Sequence, residues 1–339
     1  MARLLVRCLE NIGYQVDIAS TLRAFLPDPD SVSDQTALTS QADAEVNRLS
    51  QSWRRDGAPA LWFCYHPYYK SPDLIGPEMC RKFNVPYVTA EASYSNRRRQ
   101  GCWDSMQHKV LESINSAAVN ICFTARDREG LKLASDNAKL VTMKPFIDTT
   151  VFRAYSEERD PVRMVVVAMM RAGDKLESYR QLACALGALL HLRWTLSIVG
   201  AGKSENAVRK LFDDLPAQRI QWHGLLDNSS IAELFSRSGL YVWPGCGEAY
   251  GLAYLEAQAA GLPVVAFDTA GVPEVVDHGH TGVLTPVGDV VELGKAIASF
   301  LSDPERQQRF SSNARNHVHE HHSQEPASAS LQRILRTYT

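Results

Sequence analysis

No run of 18 apolar residues occurs in this chain of 339 residues, although 45% of its residues are hydrophobic. A helix that crosses a bilayer needs about 20 mostly apolar residues, so we expect no membrane-spanning helix. The first residues lack the pattern of a signal peptide, because Met1 begins an amphipathic helix that carries Arg3 and Arg7. We therefore expect a cytoplasmic protein whose only membrane contact is peripheral, at the inner face.

The chain also has little net charge and no cysteine framework. Its formal net charge of −2 argues against a dedicated nucleic-acid binder. The cysteines are odd in number, and several lie in apolar, strand-like segments rather than at disulfide spacings. We therefore predict seven reduced cysteines: Cys8, Cys64, Cys80, Cys102, Cys122, Cys184 and Cys246.

Internal repeats and low-complexity tracts are absent too, which excludes a solenoid. The apolar content suffices for two cores, and strand-like and helical segments alternate along both halves. This pattern predicts an α/β protein with two doubly wound, Rossmann-like domains that face a cleft. The expected divisions are a first domain (1–150), a linker (151–160), a second domain (161–325) and a C-terminal helix that crosses back to the first domain (326–339).

Short apolar runs bounded by Gly, Pro or polar residues predict the strands. In the first domain they are Gln15–Ala19, Leu61–Tyr65, Tyr87–Ala90, Val119–Phe123 and Leu140–Met143. In the second domain they are Met164–Ala168, Trp194–Val199, Ile220–Trp222, Leu240–Trp243 and Val264–Phe267. The chain begins in a helix, Ala2–Asn11, so we expect the first domain to lack its N-terminal strand.

The most informative segment is 241–274, YVWPGCGEAYGLAYLEAQAAGLPVVAFDTAGVPE. An apolar strand ends at Trp243, a Gly-rich loop follows, and a helical pattern starts at Tyr250. The next strand, Val264–Phe267, comes after that helix. Because ligands bind at the carboxyl ends of the strands in such units, the loop predicts a binding site.

Backbone amides at the start of this helix suit a phosphate group. The N–H groups of Tyr250, Gly251 and Leu252 have no partner inside the helix, and the helix dipole favours an anion there. Gly251 has no side chain to block the approach of a pyrophosphate, and Gly247 lies in the adjoining loop. We predict that these four residues bind the diphosphate of a nucleotide.

Two carboxylates flank the predicted phosphate site: Glu248 in the loop and Glu256 in the helix. A carboxylate accepts hydrogen bonds from two vicinal hydroxyl groups, such as those of a sugar. Glu256 lies about 9 Å along the helix, a distance that suits the ribose, and Glu248 would then face the sugar. Alternatively, Glu248 complements the helix dipole and Glu256 lies on a solvated helix face.

These residues resemble the signature of the retaining family 4 glycosyltransferases, which have the GT-B fold. The matching positions are Glu248, Glu256, Ala257–Val265, Gly271–Glu274 and Gly279–Leu284. The resemblance implies that Glu248 contacts the donor sugar, that Glu256 contacts the ribose, and that the loop amides hold the diphosphate. It also implies same-face transfer that requires no metal and no cofactor, in which the leaving phosphate helps to deprotonate the acceptor.

The resemblance is strongest over residues 160–310 and includes two cations. Arg171 and Lys175 follow the predicted strand Met164–Ala168, where the family has a phosphate-binding Arg and Lys. Their spacing is one residue shorter than the family pattern, and an ordinary solvated pair is the alternative. Cations at a helix start oppose the dipole, so a bound anion explains them better.

Two residues are candidate catalytic residues, Glu248 in the second domain and His66 in the first. A histidine at a strand end can donate to a sugar hydroxyl or transfer a proton. The family often has a histidine at the matching strand end, and a capping or core histidine is the alternative. Tyr68, Tyr69 and Lys70 are expected to line the acceptor site. Glu91 lies at the next strand end, where the family often has a histidine, and it changes the charge of that site.

Three further groups of residues invite a binding interpretation. The basic run Arg97–Arg99 would bind a phosphorylated acceptor or an anionic membrane, or else form a solvated loop. The four histidines within 317–322 lack cysteine or carboxylate partners at metal-site spacing. Asp28–Asp30 matches an Asp-x-Asp metal motif only superficially, within a Pro- and Ser-rich loop. We predict no metal site at either place.

The predicted function is transfer of a sugar from a nucleotide-sugar donor to a hydroxyl of a glycan, a lipid-linked compound or a small molecule. The side chains alone do not identify the base, the sugar or the acceptor. A nucleotide-sugar epimerase of the same fold would isomerise the donor without an acceptor. A catalytically inactive subunit would only bind the donor, an alternative raised by the missing first strand and its Gly-rich loop.

Overall fold

In the computed structural model the chain forms two compact units. The N-terminal unit comprises Ala2–Met143 and Ser328–Thr339. The C-terminal unit comprises Lys144–Ala327, with Met1 assigned to it as well. The residues that the structure describes are 1–28, 31–96, 102–153 and 159–338.

The N-terminal unit contains a parallel sheet whose strands lie side by side in chain order. The strands are β1 (Trp62–Tyr65), β2 (Tyr87–Ala90), β3 (Val119–Cys122) and β4 (Leu140–Thr142). The helices are α1 (Ala2–Asn11), α2 (Val32–Asp56), α3 (Gly76–Phe83), α4 (Asp104–Ser116) and α5 (Ala125–Ala134). Every residue of β2 and β3 is buried, which is typical of parallel strands covered on both faces.

The C-terminal unit contains a larger parallel sheet. Its strands are β5 (Asp160–Val167), β6 (Thr195–Val199), β7 (Ile220–Gly224), β8 (Ser238–Val242), β9 (Val264–Phe267) and β10 (Gly282–Thr285). They lie in the order β10-β9-β8-β5-β6-β7, so the chain reverses its direction of growth at β5 and β8. A ligand site is expected beside such a reversal, at the carboxyl ends of the strands.

Helices and short 3₁₀ turns connect these strands. The helices of this unit are α6 (Thr150–Arg153), α7 (Asp174–Gly187), α8 (Glu205–Lys210), α9 (Asn228–Ser236), α10 (Leu252–Ala259), α11 (Val290–Leu301), α12 (Pro304–His321) and the start of α13 (Gln324–Tyr338). The 3₁₀ turns are Ala217–Arg219 and Val272–Glu274. From Ser328 onward, α13 belongs to the N-terminal unit, where Leu331 and Leu335 are buried.

Pairing of β8 with β9 brings two loops to one edge of the sheet. Tyr241 pairs with Val264, and Val242 pairs with Val265. The loop after β8 and the turn after β9 therefore leave the sheet as neighbours. Beneath them, the buried rings of Tyr241 and Tyr254 meet edge to face, with centroids 5.6 Å apart. This packing fixes α10 against the sheet, because buried aromatic pairs prefer that geometry.

The α/β class with two parallel sheets is confirmed, but one predicted strand is wrong. Residues 15–19 form no strand, and Ile18, within the predicted strand Gln15–Ala19, is 74% exposed. An alternating apolar pattern makes a strand only when a neighbouring strand completes the ladder. The strand β10 was not predicted from the sequence, because it has only two large apolar residues and follows a Gly-rich turn.

The predicted linker 151–160 is described only in part. Residues 154–158 lie outside the described residues, Thr150–Arg153 form α6, and Asp160 opens β5. Across the ranges that the structure describes, no helix combines the length and the apolar character needed to span a bilayer.

Candidate functional site

The loop between β8 and α10 requires glycine at three positions. Gly245, Gly247 and Gly251 all have positive φ, between 63° and 75°. A Cβ on Gly247 would lie 2.2 Å from an oxygen of Asp174, and one on Gly245 would lie 2.2 Å from the Tyr254 hydroxyl. No other residue fits this backbone without strain or collision. The Gly-rich loop predicted from the sequence is therefore a close-packed element.

Hydrogen bonds fix this loop from both sides. The Tyr254 hydroxyl donates to the carbonyl of Trp243 at 3.0 Å, which joins α10 to the end of β8. The amide of Cys246 donates to the Ser178 hydroxyl of α7 at 2.9 Å. The amide of Glu248 donates to the carbonyl of Gly245 at 3.0 Å and closes a tight turn. The loop is thus held rigid beside the first turn of α10.

The N-terminus of α10 presents backbone donors. Gly251 precedes the helix with φ of 74°, and no side chain caps it. Within the described part of the chain, the amides of Gly251 and Leu252 donate to no acceptor. The ring of Tyr250, the third predicted amide donor, is buried. Uncapped amides and the positive end of the helix dipole make this terminus suited to an anion.

Lys175 and Glu248 form a salt bridge beside that terminus. Their side chains are only 12% and 17% exposed. The Lys175 ammonium also lies 5.5 Å from the centre of the Trp243 ring, and the indole N–H of Trp243 donates to Glu248 at 3.4 Å. The sequence placed Lys175 on a phosphate and Glu248 on a sugar. The structure adds that each is the other's partner and that Trp243 supports both.

Glu256 lies on α10, four residues after Leu252, and is partly buried. Burial raises the pKa of its carboxyl to about 7. No donor among the described residues contacts this carboxylate. A carboxylate in that environment is short of hydrogen bonds, and hydroxyl donors would supply them. The side chain of Glu256 is therefore only partly solvated.

Arg171 lies in the turn between β5 and α7, and its side chain is exposed. Gly173, at φ of 79°, ends that turn, and Asp174 opens α7. The turn brings Arg171 and Lys175 to the same edge of the sheet as the loop after β8. Asp174 and Ser178, which contact that loop, were missed, because nothing in their spacing distinguishes them from an ordinary first helical turn.

In the N-terminal unit, His66 and Glu91 are the first residues after β1 and β2. Both have left-handed backbone conformations, with φ of 59° and 58°. The imidazole Nδ1 of His66 lies 3.1 Å from the backbone oxygen of Glu91 and 3.9 Å from its carboxylate. The two strand ends that the sequence singled out are thus adjacent, and the structure joins them through the histidine ring.

A row of aromatic rings continues from His66. The ring of Tyr68 lies 4.9 Å from His66, and Tyr69 lies 5.6 Å from Tyr68. Trp103 lies 4.9 Å from Tyr69, and the Lys70 ammonium lies over the Trp103 ring at 5.6 Å. The predicted acceptor-lining residues therefore cluster, together with a tryptophan that the sequence did not mark.

The C-terminal histidines pair with each other. His322 is buried, its Nδ1 donates to the carbonyl of Pro145 at 2.6 Å, and its Nε2 lies 3.2 Å from Nε2 of His317. Burial lowers the pKa of His317 to about 4 and that of His322 to about 3. No cluster of three or more metal-ligating side chains occurs within the described residues.

Two other predicted groups cannot be placed. The basic run Arg97–Arg99 lies outside the described residues. So do Pro29 and Asp30 of the Asp-x-Asp run.

The chain is similar to known proteins in sequence and in fold. Residues 159–317 match the family model described as glycosyl transferases group 1. The chain is 25% identical over 251 residues to N-acetyl-alpha-D-glucosaminyl L-malate synthase of Bacillus anthracis, covering 70% of this chain and 61% of that protein. It is 27% identical over 287 residues to glycogen synthase of Mycobacterium tuberculosis, covering 79% and 65%. The chain therefore spans less than two thirds of the length of these two relatives.

Solved structures share the fold. The Anabaena protein HepE in complex with UDP superposes with a TM-score of 0.71 at 16% identity, covering 87% of this chain and 82% of that one. Another structure of HepE contains UDP-glucose. At this level of identity the similarity concerns the fold, and it confirms the predicted GT-B class with two Rossmann-like α/β units.

Proposed function

We propose that this chain transfers a sugar from a nucleotide-diphosphate sugar to an acceptor hydroxyl, because residues 159–317 match the family model described as glycosyl transferases group 1. One observation carries the proposal. The uncapped N-terminus of α10 lies between two carboxylates, Glu248 just before it and Glu256 within the helix. Anion-binding amides flanked by hydrogen-bond acceptors match a ligand with phosphates in the middle and hydroxyl groups at both ends.

The diphosphate is assigned to the N-terminus of α10. The amides of Gly251 and Leu252 would donate to its oxygens, and the helix dipole would favour its charge. Gly247 and Gly251 expose backbone where a side chain would obstruct the phosphates. Arg171 and Lys175, at the same sheet edge, would supply the cations.

The ribose is assigned to Glu256. Glu256 lies about 9 Å along the helix axis from Tyr250, a distance that suits the ribose of a nucleotide whose phosphates bind at the helix start. Two hydroxyl donors would supply the hydrogen bonds that the carboxylate lacks and would favour its ionised form. The raised pKa is thus a property of the unliganded site that donor binding would reverse.

The sugar is assigned to Glu248, and its binding requires an exchange of partners. Lys175 and Glu248 are paired in the structure. A bound phosphate would attract the Lys175 ammonium, and the sugar hydroxyls would take its place on Glu248. The ion pair would therefore hold both side chains in position until the donor arrives.

We assign the acceptor to the N-terminal unit, with His66 as its catalytic residue and the rings of Tyr68 and Tyr69 beside it. The transfer is proposed to be retaining and to need no metal, as the resemblance to family 4 implies. As the first donor to test we choose UDP-glucose, because a structure of the same fold contains it.

Calorimetric titration with UDP-, GDP- and ADP-sugars in the presence of EDTA tests the proposal. One nucleotide series should bind selectively. Glu256→Gln should weaken that binding by about 1–3 kcal/mol, because ribose hydroxyls lose a charged acceptor. Glu320→Gln, on the exposed part of α12, is the matched control and should bind like the wild type. Equal affinity of Glu256→Gln and the control would refute the ribose assignment, and no binding by any donor would refute the proposed function.

A further inference from the structure

We propose that Arg159 is a positioning residue for the diphosphate of the donor and that it acts through α10. The inference rests on the proposed function, because it concerns the phosphates that are assigned to the N-terminus of that helix. Four observations in the C-terminal unit support it: the contacts of Arg159 with the end of α10, its link to the sheet, the burial of its guanidinium, and a second arginine at the same helix end.

The Arg159 guanidinium caps the C-terminal end of α10. Its Nη1 donates to the carbonyl of Gly261 at 2.8 Å, and its Nη2 donates to the carbonyl of Ala260. The last carbonyl groups of a helix have no partner inside it, so groups from elsewhere must satisfy them. One side chain therefore satisfies two carbonyl groups at the end of α10.

The same side chain ties α10 to the sheet. Arg159 directly precedes β5, and its Nη1 also lies 3.5 Å from the carbonyl oxygen of Ser238, the first residue of β8. The next residue, Asp160, donates its amide to the carbonyl of Arg237 at 3.1 Å. The starts of two strands and the end of α10 thus meet at one guanidinium. Because α10 begins at the opposite edge of the sheet, this anchor sets the position of the amides at its start.

The cation at this helix end comes from a distant part of the chain. The last turn of α10 contains no basic residue, and Arg159 lies 101 residues before Ala260. A cation at the C-terminus complements the negative end of the helix dipole, as an anion does at the N-terminus. Arg159 and a bound diphosphate would therefore compensate the two ends of the same helix.

The charge of Arg159 is not offset by an acid in the described part of the chain. Burial, together with the charge of Arg315, lowers the pKa of the Arg159 guanidinium to about 10, and no described carboxylate opposes this shift. The group still remains positive at neutral pH. The helix α10 is about 12 Å long, a distance over which charges still attract each other through protein.

Arg315, on α12, adds a second positive charge at the end of α10. Its guanidinium packs against Gly261, because a Cβ on that glycine would lie 2.4 Å from Nε and 2.8 Å from Cζ of Arg315. Gly261 also has φ of 83°, so glycine suits both the backbone and the close approach of the arginine. Two guanidinium groups therefore lie at the negative end of this eight-residue helix.

These observations predict an effect that depends on the charge of the ligand. The diphosphate would be attracted by Arg159 through α10, a monophosphate would be attracted less, and a nucleoside without phosphate would gain nothing from that charge. A merely structural role would differ, because a displaced α10 would also move Glu256 and weaken the binding of the ribose.

Two variants separate the charge of Arg159 from its hydrogen bonds. Arg159→Gln keeps an N–H donor for a helix carbonyl and removes the charge, whereas Arg159→Lys keeps the charge and loses the planar fork. Arg193→Gln, at an exposed position of the same unit, is the matched control. Calorimetric titrations of the full chain use uridine, UMP and UDP, and the matching guanosine and adenosine series. The series whose diphosphate binds the wild type best is then compared across the variants.

Arg159→Gln should bind the diphosphate about 3- to 10-fold more weakly than the control does, the monophosphate by a smaller factor, and the nucleoside with unchanged affinity. Arg159→Lys should recover most of the affinity for the diphosphate. Equal losses for all three ligands would show that Arg159 is merely structural and would overturn the inference. An affinity of Arg159→Gln for the diphosphate equal to that of the control would overturn it as well.

A further variant covers the case in which Arg159→Gln does not fold. Arg315→Gln removes the second charge from an exposed side chain, and it should show the same order of losses at a smaller size. Equal affinities of Arg315→Gln and the control for all three ligands would then overturn the inference. If no nucleoside diphosphate binds the wild type, the proposed function fails and the inference fails with it. If one binds and Arg159→Gln matches the control, only the inference fails.

Discussion

The ammonium of Lys175 and the carboxylate of Glu248 are paired beneath the indole of Trp243, at the site where the donor is proposed to bind. The pair joins the first turn of α7 to the loop after β8. Neither group is well solvated, so each depends on the other for compensation of its charge.

Removing Lys175 should therefore cost stability as well as binding. Lys175→Met leaves the Glu248 carboxylate without its cation, and we expect the free energy of unfolding to fall by about 1–3 kcal/mol. Urea unfolding measures this change. Lys203→Met, at an exposed position, should leave stability unchanged. The double variant Lys175→Met/Glu248→Gln should lose less of the free energy of unfolding than Lys175→Met alone. An equal loss in the two variants would contradict the pairing.

Glu256→Gln should change stability in a pH-dependent way. The folded-state pKa of about 7 lies above the ordinary value of 4.5, so the folded protein binds the proton more tightly than the unfolded chain does. Stability from this group is present at low pH and is lost as the pH rises through 7. Glu256→Gln should therefore be more stable than the wild type by about 1–3 kcal/mol at pH 8.5 and nearly equal to it at pH 4.5. Thermal melts at both pH values, without ligand, would test this. If the stability difference between Glu256→Gln and the wild type is the same at both pH values, the carboxyl is not buried.

Gly247→Ala should disrupt the loop through a collision. The new Cβ would lie 2.2 Å from the Asp174 carboxylate in addition to adopting a positive φ. Gly288→Ala is a matched control, because Gly288 has φ of 78° and nothing lies within 4 Å of its Cβ position. In both variants the positive φ should lower the free energy of unfolding by about 1 kcal/mol. Only Gly247→Ala should lower it further, because only there does the new Cβ collide. The double variant Gly247→Ala/Asp174→Ala should regain part of the melting temperature that Gly247→Ala loses. If it regains none, the collision with Asp174 is not the cause of the loss.

The buried histidine pair should limit stability in acid. The pKa values of His317 and His322, about 4 and about 3, lie below the ordinary value of 6.5, so the unfolded chain binds protons that the folded one excludes. Stability should be full above pH 6.5 and should fall as the pH drops toward 4, by about 1.4 kcal/mol per pH unit for each histidine. His317→Gln should reduce that slope in urea titrations at several pH values. His191→Gln, at an exposed position, should leave the slope unchanged.

Local patterns predicted much of the fold because apolar runs and Gly-Pro boundaries are local signals. The strand before Pro244, the Gly-rich loop and the helix with Glu256 all lie where the sequence placed them. The predicted strand Gln15–Ala19 shows the limit of such signals, since a strand-like segment without a neighbouring strand does not form a ladder.

Partnerships between distant segments were not predictable. Lys175 and Glu248 are 73 residues apart, so nothing local connects them. The side chain that would collide with a Cβ on Gly247 belongs to Asp174, at the start of α7. Likewise, the contact of His66 with Glu91 depends on two left-handed strand ends becoming neighbours in the sheet. Such contacts follow from topology, which spacing in one sequence does not specify.

The assignment of the last helical turns to the N-terminal unit has a consequence for synthesis. Leu331 and Leu335, which are buried in that unit, are translated only after the entire C-terminal unit. On a ribosome that adds about 5–20 residues per second, the first unit emerges early but completes its core last. A nascent chain that stalls before Ser328 therefore carries an unfinished N-terminal core, however long it waits.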